Sequence, residues 1–109
     1  MTQTGLSERE LDLICSVLRR HPQIAKAVLY GSRAKGTQRP ESDIDLTLFG
    51  DVDPMGAERV ASELEELPLP YRFDVSSYAA IRSEALLDHI HRVGVVVYES
   101  DPVLERRSA

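Results

Sequence analysis

From Asp43 to Phe49 the chain alternates strictly, with Ile44, Leu46 and Leu48 on one side and Asp43, Asp45 and Thr47 on the other. A period of two belongs to a pleated strand, so this segment has one face to bury and one face that is acidic. A single strand cannot do this alone. The rest of the chain must supply a sheet and a layer of helices to cover its apolar side.

The flanking sequence provides both. Ser7, with Glu10 three residues on and Leu6 positioned to staple against Leu11, predicts a helix start. Leu11, Ile14, Cys15 and Leu18 then recur at helical spacing, and His21-Pro22 ends the run. Ile24 to Tyr30 is a short β-branched and apolar strand stopped by Gly31. Gly31 to Glu41 is a glycine-bounded turn that can enter a short helix. Asp53 caps a helix with Pro54 in its first turn and an apolar stripe of Ala57, Val60, Ala61, Leu64 and Leu67. After Pro68-Leu69-Pro70, Tyr71 to Ser76 alternates again, with Phe73 and Val75 opposite Arg72, Asp74 and Ser76. Ser83 caps a last helix carrying Leu86, Leu87 and Ile90, closed by Gly94. Val95 to Tyr98 is a final strand, and the segment from Ser100 is a polar tail. The expected order is α-β-(α)-β-α-β-α-β: an α/β (α+β) domain with helices packed on one face of a small sheet. With 109 residues, one domain is expected, its core spanning about residues 6–98.

Two segments come together as chemistry. Asp43 and Asp45 project the same way from one strand, and Asp74 can join them if its strand lies alongside. Carboxylates packed this closely repel, and a cation offsets the cost. Their hard oxygens suit Mg2+, which takes the rest of its shell from water and phosphate. Two such ions can clamp the attacking and leaving oxygens of an in-line phosphoryl displacement. Upstream, Leu29-Tyr30-Gly31-Ser32 is a strand running into a glycine turn. Gly31 lets the backbone approach a phosphate, Ser32 offers a hydroxyl, and the amides opening the next helix point at anions. Arg33, Lys35 and Arg39 add positive charge. Phosphoryl transfer asks a protein mainly for positioning and charge neutralisation.

Gly31-Ser32, ten intervening residues and Asp43-Ile44-Asp45 resemble the defining motif of the DNA polymerase beta nucleotidyltransferase superfamily. The string GSRAKGTQRPESDIDLTLF is similar to the minimal nucleotidyltransferase (MNT) family within it. The resemblance spans roughly Leu6 to Tyr98 and implies the polymerase-beta-like fold. It also implies that Ser32 contacts a nucleoside triphosphate, typically ATP, and that Asp43 and Asp45 hold Mg2+ in a two-metal site. By the same transfer Asp74 is the third carboxylate, ligating metal and accepting the attacking hydroxyl's proton. Proteins of this kind are commonly paired with a helical HEPN ribonuclease toxin. The MNT chain then acts as antitoxin by adenylylating a tyrosine hydroxyl of the toxin, which implies a hetero-oligomer here.

Other residues have plainer readings. His21, His89 and His91 are expected at the surface or core edge, with His89 and His91 on nearly opposite sides of a helix. Cys15 and Tyr30 are expected to pack, and Asp51 and Asp53 to serve a turn and a cap. Two other functions fit the same chain: a non-catalytic module that neutralises a partner by contact, and a small-molecule nucleotidyltransferase of the aminoglycoside-modifying kind. The net charge of -5 argues against direct nucleic-acid binding, which needs a basic face. A single cysteine permits no internal disulfide or thiolate cluster. Met1 to Gly5 lacks a secretory pattern, and the longest apolar run, Val93 to Tyr98, is too short to cross a bilayer. A soluble, cytoplasmic protein is expected.

Overall fold

The structure, a computed structural model, describes residues 4–36 and 43–100. Ser7 starts the first helix, α1 (Glu8–Leu18), through a reciprocal capping box: its hydroxyl accepts from the Glu10 N–H, and the Glu10 carboxylate accepts from the Ser7 N–H. Strand β1 (Ile24–Tyr30) follows, then a single helical turn, α2 (Ser32–Lys35), and strand β2 (Ile44–Gly50). Helix α3 (Pro54–Glu65) begins at an Asp53 cap with proline in the first turn, and leads to strand β3 (Phe73–Ser77). A 3-10 turn (Tyr78–Ala80), helix α4 (Glu84–Val93) with its Ser83 cap, and strand β4 (Val95–Glu99) complete the order.

The four strands form one mixed sheet in the order β3-β2-β1-β4. β1 is antiparallel to both its neighbours, β2 and β4, whereas the α3 crossover makes β2 and β3 parallel. Alternation along β1 assigns its two faces. Ala27 and Leu29 join Ile44, Leu46 and Leu48 in the main core beneath α1 and α3, which contribute Ile14, Val17, Leu18, Ala57, Val60 and Leu64. Val28 and Tyr30 point the other way and pack with Ile90 of α4, flanked by Phe49, Tyr78, Ile81 and Leu86.

Helices therefore do cover one face, as the apolar pattern of β2 requires, and α4 with the 3-10 turn adds a partial layer on the opposite face. The physical reason is the apolar Val28 and Tyr30 on that side of β1, which need cover of their own. Gly94 does close α4, without the left-handed backbone common at helix ends. Gly94 has φ -61 and ψ 144, an ordinary extended conformation. It is glycine for space: a Cβ there would stand 2.3 Å from the Ile90 carbonyl oxygen and 2.6 Å from Val28 Cγ1. No helix among the described residues is long and apolar enough to cross a membrane. The polar tail beyond Ser100 lies outside the described residues.

Candidate active site

Strand pairing assembles the acidic face. β1 runs out at Tyr30 where β2 begins, and the registers set Tyr30 opposite Asp45 and Asp45 opposite Asp74. Directly paired residues share a face, so three adjacent strands carry Tyr30, Asp45 and Asp74 in a row at one end of the sheet. Because β2 and β3 are parallel, both begin at this end; the Ile44 N–H donates to the Arg72 carbonyl at 2.9 Å and fixes the start. Asp43, exposed just before β2, lies two residues from Asp45 and so on the same side. The condition set by the sequence, that the Asp74 strand lie beside the Asp45 strand, is met.

The glycine turn closes against this row. Gly31 has φ +79, a region that side chains other than hydrogen rarely tolerate. A Cβ on Gly31 would meet Asp45 Oδ2 at 2.3 Å, so the turn passes directly over that carboxylate. Ser32 opens α2 and is half-buried, while Lys35 is exposed, with its N–H donating to the Gly31 carbonyl at 3.2 Å.

Arg33 departs from its expected place. Its side chain is only 2% exposed, its guanidinium donates to the Thr4 carbonyl at 3.0 Å and lies 4.6 Å over the Tyr71 ring. The Tyr71 hydroxyl in turn donates to Glu10 at 2.9 Å. This chain ties α2 to the segment before α1 and to the approach of β3. Spacing along a four-residue helix cannot reveal it, because each partner comes from a different part of the fold. Arg39 lies outside the described residues.

The electrostatics follow from the crowding. The Asp45 carboxyl is pushed above the usual aspartate range, first by burial and then by the negative charges of Asp74 and Asp43. The Tyr30 phenol is also raised, chiefly by burial; a hydrogen bond with Ser76 opposes this, and Asp74 and Asp45 add to it. Among the described residues, no group of three or more His, Cys, Asp and Glu side chains is gathered tightly enough to cage a metal ion unaided. An open acidic patch of this kind suits a cation that takes one or two carboxylates and completes its shell with water and phosphate. The donor set fits a divalent metal, and the crowding at Asp45 supplies the electrostatic demand for one.

One residue at the site was not anticipated. His89, on α4, accepts a hydrogen bond at Nε2 from the Gly31 N–H at 3.1 Å. His91 instead pairs with the Tyr78 hydroxyl at 2.5 Å, and His21 with Glu63 at 2.9 Å. The only sequence signal for His89 is its place beside Ile90 on the apolar stripe of α4.

Comparison with known proteins places this geometry in context. The family model described as Polymerase beta, Nucleotidyltransferase matches residues 12–103. The Haemophilus influenzae protein named probable protein adenylyltransferase MntA is 28% identical over 109 residues, covering 98% of this chain and 95% of that relative. A crystal structure of a toxin-antitoxin with AMP-PNP contains a chain that superposes with a TM-score of 0.69 at 23% identity, over 87% of this chain and 77% of that one. A structure of a tri-AMPylated Shewanella oneidensis HEPN toxin in complex with MNT antitoxin gives a TM-score of 0.66 at 18% identity, over 92% of this chain and 78% of that one. At such identities the solved structures speak for the fold.

Proposed function

The chain belongs to the polymerase beta nucleotidyltransferase family, and from that premise we propose that it is a single-domain, Mg2+-dependent adenylyltransferase. It moves AMP from ATP to a hydroxyl of a helical, HEPN-type ribonuclease partner in the cytoplasm and thereby acts as its antitoxin. The observation that carries the reading is the parallel pairing of Asp45 with Asp74 beneath the Gly31 turn. The resemblance of the whole chain to a protein named as an adenylyltransferase, and of its fold to toxin-antitoxin complexes, supports the donor and the partner.

In this mechanism Gly31 and Ser32 receive the triphosphate, the first through close backbone approach and the second through its hydroxyl. Lys35, exposed on α2, offsets phosphate charge from the rim. Asp43, Asp45 and Asp74 would hold a divalent metal together with the phosphates and water, and that metal would neutralise charge on the phosphates and on the acids themselves. Asp74, the more exposed carboxylate of the pair, accepts the proton of the attacking hydroxyl. The hydroxyl oxygen bonds to the α-phosphorus, the bond to the β-phosphate oxygen breaks, and pyrophosphate leaves. Arg33 serves the loop's shape rather than the nucleotide.

The test is transfer of label from α-labelled ATP, in Mg2+, to the protein encoded beside this chain, with Asp43→Asn run in parallel. Label on the partner that disappears in the variant is the expected result. Tight partner binding without label would favour neutralisation by contact alone, and label on an aminoglycoside instead would move the acceptor to small molecules.

A further inference from the structure

The Gly31 peptide is held from both sides. Its carbonyl accepts from the Lys35 N–H at 3.2 Å, and its N–H donates to His89 Nε2 at 3.1 Å. The second bond spans 58 residues of sequence and joins the last helix to the turn over Asp45. The seat of α4 makes it possible. Ile90, 3% exposed, packs on Val28 and Tyr30, and the neighbouring His89 ring stands edge-on to Tyr30, with centroids 6.1 Å apart and planes at 82°. An Nε2 that accepts requires the ring proton on Nδ1.

The turn needs such a hold. Gly31 adopts φ 79 and ψ -155, outside the helix and strand wells, and glycine has more alternative conformations to wander into than any other residue. Asp45 Oδ2 leaves no room on one side of the turn, and among the described residues it is His89 that holds its N–H.

We propose that His89 is a positioning residue for nucleotide binding: by accepting the Gly31 N–H it keeps the turn in the shape that receives the triphosphate. It acts through the backbone of Gly31 and does not itself touch the nucleotide. The inference rests on the nucleotidyltransferase reading of the site. Its signature follows from population arithmetic. If the turn visits its competent shape less often, apparent nucleotide affinity falls by that fraction, whereas turnover at saturating nucleotide is preserved.

The experiment is calorimetric titration of the full chain, in Mg2+, with an ATP analogue whose α,β-bridging oxygen is replaced by methylene. His89→Ala removes the acceptor; His89→Gln offers a carbonyl oxygen in its place. The affinity of His89→Ala is expected to fall roughly two- to tenfold, the worth of one hydrogen bond, with His89→Gln recovering most of it. In the transfer assay the same variants should change KM for ATP and not kcat. Nitrogen-15 NMR of the wild type should show His89 as the Nδ1–H tautomer. Unchanged affinity in His89→Ala, set against a wild type that binds, overturns the role alone, as does an Nε2–H tautomer. A lowered melting temperature in His89→Ala with unaltered affinity would make the residue merely structural and also overturn it. Failure of the wild type to bind the analogue would overturn the nucleotidyltransferase reading and this role with it.

Discussion

At the scale of single residues, the site is governed by close approach. Gly31→Ala forces a methyl group to within 2.3 Å of Asp45 Oδ2 at a backbone angle that an alanine resists. The carboxylate or the turn must move, and a displacement of about 1 Å in a catalytic array costs about a hundredfold in rate. Transfer of α-labelled ATP by Gly31→Ala should drop by that order while circular dichroism stays native. Asp45 carries the complementary prediction. Its folded-state pKa is raised above the ordinary value of 3.8 by burial and by Asp74 and Asp43. Stability from its protonated form is therefore fully present below 3.8 and is lost as pH rises through the raised value. Asp45→Asn should accordingly melt higher than the wild type at neutral pH without metal. The gain is roughly 2 °C, since partial exposure screens the repulsion, and it should vanish as pH falls. Mg2+ with ATP should raise the wild-type melting temperature and leave the variant's unmoved. Identical melts at neutral pH would mean that the acids do not strain the fold.

At the scale of elements, two junctions hold the site in place. The first is Arg33, which links α2 to Thr4 and stacks on Tyr71. A lysine keeps the charge and loses the planar fork that both hydrogen-bonds and stacks. Arg33→Lys should cost about 2 kcal/mol of stability, read from the urea midpoint at constant slope. The second is the packing of α4 against β1 at Gly94. Gly94→Ala brings a methyl group against the Ile90 carbonyl and Val28. Overpacking of this kind costs about 1–3 kcal/mol. Because α4 then lifts from β1, hydrogen exchange at the Gly31 N–H should accelerate with it. Exchange unchanged at Gly31 in a destabilised Gly94→Ala would separate α4 from the turn. Local signals had identified these elements well: the Ser7 capping box, the Asp53-Pro54 start and the Ser83 cap all act as their residue types predict. They did not report the second layer over Val28 and Tyr30, because an unbroken apolar run such as Ala27 to Tyr30 does not say what covers each side.

At the scale of the whole molecule, charge and architecture act together. The chain carries a formal charge of -5, and three of its acids, Asp43, Asp45 and Asp74, stand at the end of the sheet where β2 and β3 begin. Binding to nucleic acid draws its affinity from released counterions and needs a basic surface. No retardation of single-stranded RNA or DNA is therefore expected at protein concentrations of tens of micromolar in near-physiological salt. Saturable binding that weakens steeply with salt would contradict this and point to a nucleic-acid acceptor. An acidic end of the sheet also accords with the proposed acceptor, a folded partner that can bring a hydroxyl to the patch without adding phosphate charge.

The sequence by itself determined the elements, their caps and the half of the site that is local. Gly31-Ser32 and Asp43-Ile44-Asp45 lie on one strand-turn-strand segment, and a period of two suffices to aim both aspartates the same way. The tertiary structure alone decided that Asp74 stands opposite Asp45, that Arg33 turns inward to Thr4 and Tyr71, and that His89 reaches Gly31. Each of these joins residues separated by 29 or more positions in the chain. Local periodicity fixes where a side chain points relative to its own strand or helix. Only the pairing of strands and the seating of helices on them bring distant side chains to one place.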